Sequence, residues 1–320
     1  MAGSFASVAD RDAIQNEMPW DERDLPTTIH GLLGRTASRH PQRPAMSFQL
    51  FSGPEDKAET LTWRAFQARV TQAANLFRAL GVGEDDVVAY VLPNCNETLF
   101  TFLGGAIAGI VNPINPLLDA EQIAAILRET RAKVVVTLKA FPKTDVAQRT
   151  AEAVAMAPEV EHVLEVDLNR YLTPPKSLLV PFVRPKTPVR HKARVRNFTR
   201  ALNRQSTRLD FEDSTSDRVC AYFHTGGTTG LPKVAQQKYS GVIYNGWIGK
   251  RLLFTEKDTL ICPLPLFHVF AAIVVVSAAL TSGAHVVFPT PAGYRGDGVF
   301  DNFWKLIERW KVTFVITVPT

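Results

Sequence analysis

Residues 62–137 read TWRAFQARVTQAANLFRALGVGEDDVVAYVLPNCNETLFTFLGGAIAGIVNPINPLLDAEQIAAILRETRAKVVVT, and the succession of patterns in this stretch decides the fold class. Thr62 stands where a helix cap is needed. Phe66, Val70, Ala73, Phe77 and Leu80 then recur at three- and four-residue spacing, and Gly81 supplies the stop. The run 87–92, closed by Pro93, is continuously apolar, as a strand covered on both faces must be. An apolar helix is expected from Glu97 to Ala108, ended by Gly109. The short strand Ile110-Val111, a helix opened by Asp119 and a strand over 133–137 follow. Strand and helix alternate, which predicts an α/β fold of parallel strands, joined by right-handed crossovers and covered by helices on both faces.

Working outward, a helix over 145–156 and a strand over 162–166 continue the alternation. It lapses between residues 169 and 209, where Pro174, Pro175, Pro181 and Pro185 read as an exposed connector or insertion. The pattern resumes with strand 219–223, helix 240–253, strand 260–262, a helix after His268, strand 284–288, helix 300–310 and a buried strand over 312–318. Two subdomains are expected, 1–215 with the insertion at 169–209, and 216–320.

The formal net charge of +5 is local, because about eleven Lys and Arg lie between Arg170 and Arg208 with no acidic residue among them, and without them the chain is mildly acidic, about −6. Cys95, Cys220 and Cys262 show no metal-ligand or disulfide spacing. The start MAGSFASVADRDAIQ lacks the basic and apolar regions of a secretory leader. The runs 99–118 and 269–280 are interrupted or too short to span a bilayer. A cytoplasmic protein is expected.

The stretch His224-Thr225-Gly226-Gly227-Thr228-Thr229-Gly230-Leu231-Pro232-Lys233 carries the chemistry. Glycines let backbone N–H groups approach a polyphosphate, threonines add hydroxyl donors or metal-facing oxygens, and a lysine adds a mobile positive charge. It is neither a Walker loop, since no glycine precedes Lys233 and no Ser or Thr follows it, nor a GxGxxG turn. Kinase-like phosphoryl transfer and dinucleotide binding are therefore disfavoured.

This loop resembles the phosphate-binding signature of the adenylate-forming superfamily, Tyr-Thr-Ser-Gly-Thr-Thr-Gly-x-Pro-Lys-Gly, at Thr225, Gly227, Thr228, Thr229, Gly230, Pro232 and Lys233. His224, Gly226 and Val234 depart from it, and the Thr-Gly-Gly form is similar to that of bacterial fatty-acyl ligases. Residues 61–118 resemble the family's early helix–strand–helix region. Pro263-Leu264-Pro265-Leu266-Phe267-His268-Val269-Phe270 is similar to a second signature, in which His268 lies near the acyl carboxylate and Phe270 borders the acyl pocket.

The resemblance implies the incomplete N-terminal domain of an AMP-forming acyl-CoA synthetase. Its substrates would be a carboxylic acid, preferably a fatty acid, with ATP, magnesium and coenzyme A. Residues 225–230, Pro232 and Lys233 would hold the phosphates and Thr228 would face the metal. His268 and Lys233 would be the catalytic side chains, and His268 and Phe270 would contact the acid. The family's Tyr-Gly-x-Thr-Glu segment, ribose-binding aspartate and C-terminal lysine have no counterparts before Thr320, so the chain alone is expected to be inactive. A non-catalytic binding domain, or a module that loads a carrier protein, are the alternatives.

Tyr244, Trp247, Phe254, Phe288 and Trp304 are candidates for an acyl tunnel, although aromatic residues at such spacings also form ordinary core. The basic segment 170–208, with Tyr171, Leu178, Leu179, Val180, Phe182 and Val183 beside its charges, reads as a solvated loop or as peripheral contact with an anionic membrane. Specific nucleic-acid binding is not expected.

Overall fold

Several helices begin on residues that cap them: the Thr62 side chain accepts from the Ala65 N–H, and Asp119 and Gln122 form a reciprocal capping box. The computed structural model describes residues 7–187, 189–225 and 233–318. Strands are β1 (Pro44–Gln49), β2 (Ala58–Thr62), β3 (Val87–Val91), β4 (Ile110–Pro113), β5 (Ala132–Leu138), β6 (His162–Val166), β7 (Arg194–Asn197), β8 (Val219–Thr225), β9 (Lys233–Lys238), β10 (Thr259–Ile261), β11 (His285–Phe288) and β12 (Phe314–Val315). Helices are α1 (Val8–Gln15), α2 (Ile29–Arg39), α3 (Trp63–Ala79), α4 (Asn96–Ala108), α5 (Ala120–Glu129), α6 (Val146–Ala155), α7 (Lys176–Val183), α8 (Phe198–Leu202), α9 (Tyr239–Leu252), α10 (Val276–Ser282) and α11 (Phe303–Trp310).

The strands form two sheets, ordered β7-β6-β5-β3-β4-β8-β9 and β12-β10-β11-β1-β2. The α/β class holds, but the sheets are mixed rather than wholly parallel: β1 with β2 and β8 with β9 are antiparallel. The reason is chain length. Residues 50–57 and 226–232 are too few for the crossover of about a dozen residues that a parallel pair requires. Nor do the sheets divide at residue 215, because β1 pairs with β11 and β8 pairs with β4.

Every residue of α4 is buried. The helix touches β3, β4 and β8 of one sheet and β1 of the other, so it forms the core between them. Against α3 it comes so close that a Cβ on Gly104 would lie 2.6 Å from the Ala73 Cβ and 2.9 Å from the Ala74 backbone nitrogen. Only glycine permits that approach.

The segment 169–209 is not a plain solvated connector. It contains α7, β7 and α8, and β7 extends the seven-stranded sheet beside β6. Arg170 bonds Glu59 at 2.6 Å and Glu97 at 2.9 Å, the Tyr171 hydroxyl donates to Glu97 at 2.7 Å, and Arg184 bonds Asp167 at 3.0 Å. Burial pushes the Glu59 carboxyl up, but the charge and hydrogen bonds of Arg170, with Asn96, hold it below the usual carboxylate range. Tyr171 and Val180 are buried, whereas Leu178, Leu179, Phe182 and Val183 are exposed.

The last strand also differs from expectation. β12 is two residues long, and Val315 and Val318 are exposed. Among the described residues no helix is long and apolar enough to cross a membrane.

His285 on β11 lies with Nε2 2.8 Å from the Ser47 Oγ, and burial pushes its pKa down to about 4. An unfolded His titrates near 6.5. Below that value the unfolded chain binds a proton that the folded one refuses, so folding stability falls as the pH drops from about 6.5 to about 4. His285→Asn is expected to remove this component, which is on the order of 3 kcal/mol in full. Urea unfolding at pH 7 and at pH 4.5 should show the variant losing less stability over that interval; equal losses would assign the pH dependence elsewhere.

Candidate functional site

The glycine-rich stretch does not join a strand to a helix. It connects β8 to β9 in a hairpin, with Thr225 opposite Lys233 and the Thr225 hydroxyl 3.2 Å from the Lys233 carbonyl oxygen. Both residues are exposed, at the carboxyl end of β8. Gly226, Gly227, Thr228, Thr229, Gly230 and Pro232 lie outside the described residues. His224, just before the hairpin end, reaches Asn112 on β4 at 3.4 Å and Glu129 at the end of α5 at 3.5 Å. Burial lowers the pKa of His224, with the Glu129 carboxylate opposing that shift.

The second signature follows β10. The Cys262 N–H donates to the Val287 carbonyl, the last ladder bond before the chain enters Pro263-Leu264-Pro265-Leu266. Neither proline has an N–H, so regular pairing cannot continue. Asn94, just past the carboxyl end of β3, replaces it: its Nδ2 donates to the Leu264 carbonyl at 2.9 Å, and its Oδ1 accepts from the Leu266 N–H at 2.8 Å. The Tyr90 hydroxyl, from β3 itself, donates to the Leu266 carbonyl at 2.5 Å.

The turn then places His268 at the surface. Its backbone N–H donates to the Pro265 carbonyl at 3.0 Å, and its Nδ1 accepts from the Phe270 N–H at 3.3 Å. With Nδ1 accepting, the neutral ring carries its proton on Nε2, a donor suited to a carboxylate oxygen. Half-buried Phe270 opens π-helical turns, Phe270–Val275, which run into α10. Such turns often occur at functional sites.

These parts share one end of the seven-stranded sheet. The glycine loop leaves β8, the Pro263–His268 turn is held at the end of β3, and only β4 separates those strands. Two strand spacings amount to about 10 Å. In α/β sheets, ligands gather beyond the carboxyl ends of parallel strands.

The five aromatic candidates do not assemble into one tunnel. Tyr244 and Trp247 pack with Trp20, and Arg23 lies over the Trp247 ring. Phe254 packs on Phe314, Phe288 is buried in β11, and Trp304 is exposed. Tyr90, Asn94 and Asn112 escape a motif-based reading. The available signal is their position, as polar groups at or just past the ends of apolar parallel strands. Among the described residues no group of three His, Cys, Asp or Glu side chains is placed to hold a metal ion. Thr228, expected to face the metal, lies outside the described residues.

The AMP-binding enzyme family profile matches residues 33–320, and the chain belongs to that family. It is 30% identical over 309 residues to the marinolic acid–CoA ligase of a Pseudoalteromonas species, covering 94% of this chain and 44% of that protein. It is 25% identical over 331 residues to a long-chain-fatty-acid–CoA ligase of Bacillus subtilis, covering 96% of this chain and 55% of that one. Among solved structures, the anthranilate CoA ligase AuaEII in complex with anthranoyl-AMP aligns with a TM-score of 0.71 at 21% identity, over 93% of this chain and 51% of that chain. The fold is thus that of adenylate-forming enzymes. The chain spans about half the length of the curated relatives it matches.

Proposed function

We propose that this chain supplies the phosphate loop and the acid-binding turn of an enzyme that activates a carboxylic acid, preferably a fatty acid, with ATP and transfers it to coenzyme A. The observation that carries this reading is the convergence of the β8–β9 loop and the His268 turn at one end of the sheet, in a chain of the AMP-binding family. Relatives named for marinolic acid and long-chain fatty acids support an acyl substrate, and relatives named for 4-coumarate make aryl acids the alternative to be tested.

In this reading a carboxylate oxygen attacks the ATP α-phosphorus, a carboxyl-to-phosphorus bond forms, and pyrophosphate leaves. The CoA thiolate then attacks the acyl carbon, the thioester forms, and AMP departs. Lys233 and the donors of residues 225–230 would neutralise the departing pyrophosphate, which is electrostatic catalysis without a protein nucleophile. His268 would orient the carboxylate through Nε2–H. The test is acid-dependent exchange of labelled pyrophosphate into ATP by the complete gene product, across fatty and aryl acids. Lys233→Ala and Thr228→Ala are expected to slow adenylation about a hundredfold in single turnover, with fatty-acid affinity little changed. Unchanged adenylation rates would remove the loop from the mechanism.

The same reading includes peripheral contact with an anionic membrane through residues 170–208. Leu178, Leu179, Phe182 and Val183 support it, at 64%, 58%, 87% and 62% exposed on one face of α7. Exposed Lys176, Lys186, Arg190, Lys192, Arg194 and Arg196 accompany them. Arg170 and Arg184 are engaged with carboxylates and contribute less. Binding to vesicles of anionic phospholipid should weaken as salt rises from 0.05 to about 0.5 M, since free charges are screened within about 10 Å at 0.1 M. Leu179→Ser with Phe182→Ser should lower binding at every salt concentration. Equal retention by this double variant and the unsubstituted protein would count against the contact.

A further inference from the structure

The turn that presents His268 is built without a sheet neighbour of its own, and its Pro263, Leu264 and Leu266 backbone groups are met by side chains and a turn from elsewhere. Asn94 is 2% exposed and uses its amide as a peptide group would be used, one donor to the Leu264 carbonyl and one acceptor for the Leu266 N–H. Its own backbone N–H donates to the Pro291 carbonyl at 3.0 Å, so the residue is held by the loop after β11. From the other side the Tyr294 N–H donates to the Pro263 carbonyl at 3.2 Å. Gly293, at φ +59°, lies so near that an added Cβ would meet the Pro263 oxygen at 1.8 Å. The Tyr90 hydroxyl completes the set on Leu266.

We propose that Asn94, seconded by Tyr90, is the positioning residue for the His268–Phe270 segment: it fixes the height of that segment above the carboxyl end of β3 and thereby tunes affinity for the acid. This rests on the reading that His268 and Phe270 face the acid. The chemical reason is specific to the Pro-x-Pro spacing. With Pro263 and Pro265 lacking N–H groups, the Leu266 N–H and the Leu264 and Leu266 carbonyls are left to be satisfied where water is excluded. A buried polar group without a partner costs about 1–3 kcal/mol. A side-chain amide meets a donor and an acceptor two residues apart, as a neighbouring strand would. Asp would set a carboxylate against the Leu264 carbonyl, and Leu would meet neither.

Two measurements test the proposal. The first is hydrogen–deuterium exchange of backbone amides in the 263–272 region, which needs no activity. Asn94→Leu is expected to speed exchange at the Leu266 and His268 amides about tenfold or more while α3 and β5 keep their protection. The second is pyrophosphate exchange by the complete gene product carrying Tyr90→Phe, a change that removes one oxygen and preserves packing. The KM for the carboxylic acid should rise about tenfold, while the KM for ATP stays within about twofold. Asn94→Asp should behave like Asn94→Leu in amide exchange, and Asn94→Ser, which keeps a small donor and acceptor, should restore part of the protection. Unaltered amide exchange in Asn94→Leu overturns the clamp, which is the hold of Asn94 on the turn. Faster exchange with an unchanged acid KM, or with both KM values changed together, overturns the positioning role. A complete protein that exchanges pyrophosphate with no acid counts against the ligase reading, and the clamp is then decided by amide exchange alone.

Discussion

A buried carboxylate governs the architecture. Glu97 lies in the first turn of α4, the helix enclosed between the two sheets, and its side chain is 3% exposed. The helix N-terminus favours a negative charge there, but removing a carboxylate from water costs several kcal/mol that a dipole alone does not offset. Arg170 and Tyr171 supply the remainder. Both stand just after β6, so satisfying Glu97 requires the chain to turn back over α4 and β2, where Arg170 also meets Glu59.

The two sheets are joined by the packing of α4 and by a small number of hydrogen bonds between side chains of one sheet layer and backbone of the other. Trp63 Nε1 donates to the Gly283 carbonyl, and Thr36 Oγ1 donates to the Leu280 carbonyl at 2.5 Å, tying α3 and α2 to the end of α10. Asn94 and Tyr90 do the same at the opposite end of that segment. The chain from Pro263 to Gly283 is therefore fixed at both ends by residues that precede it by about 170 to 245 positions. A turn held this way inherits the rigidity of the core rather than the mobility usual for a surface loop.

His224 shows how a departure from a family signature can be accommodated. Where the pattern has an aromatic residue, this chain places an imidazole between Asn112 and Glu129, on the strand that leads into the glycines. Asn112 meets the Nδ1 of the half-buried ring, and the Glu129 carboxylate lies 3.5 Å from its Nε2. The base of the loop is thus anchored by polar contacts as well as by apolar packing.

The sequence by itself determined the local elements and their class. Helical spacing after Thr62, the helix start at Asp119 and the uninterrupted apolar runs of β3 and β5 act over a few residues, and the structure reproduces them within one or two positions. The glycine-rich stretch and the Pro-Leu-Pro-Leu-Phe-His run were legible as chemistry because their residue types are unusual in combination. What only tertiary structure decided were the pairings between distant segments: β1 beside β11, β8 beside β4, β7 at a sheet edge in a stretch whose prolines suggested none, and Asn94 beneath the turn that carries His268. Strand order and buried polar partnerships depend on which surfaces meet after collapse. That information is spread over hundreds of residues and leaves no period or motif in any one of them.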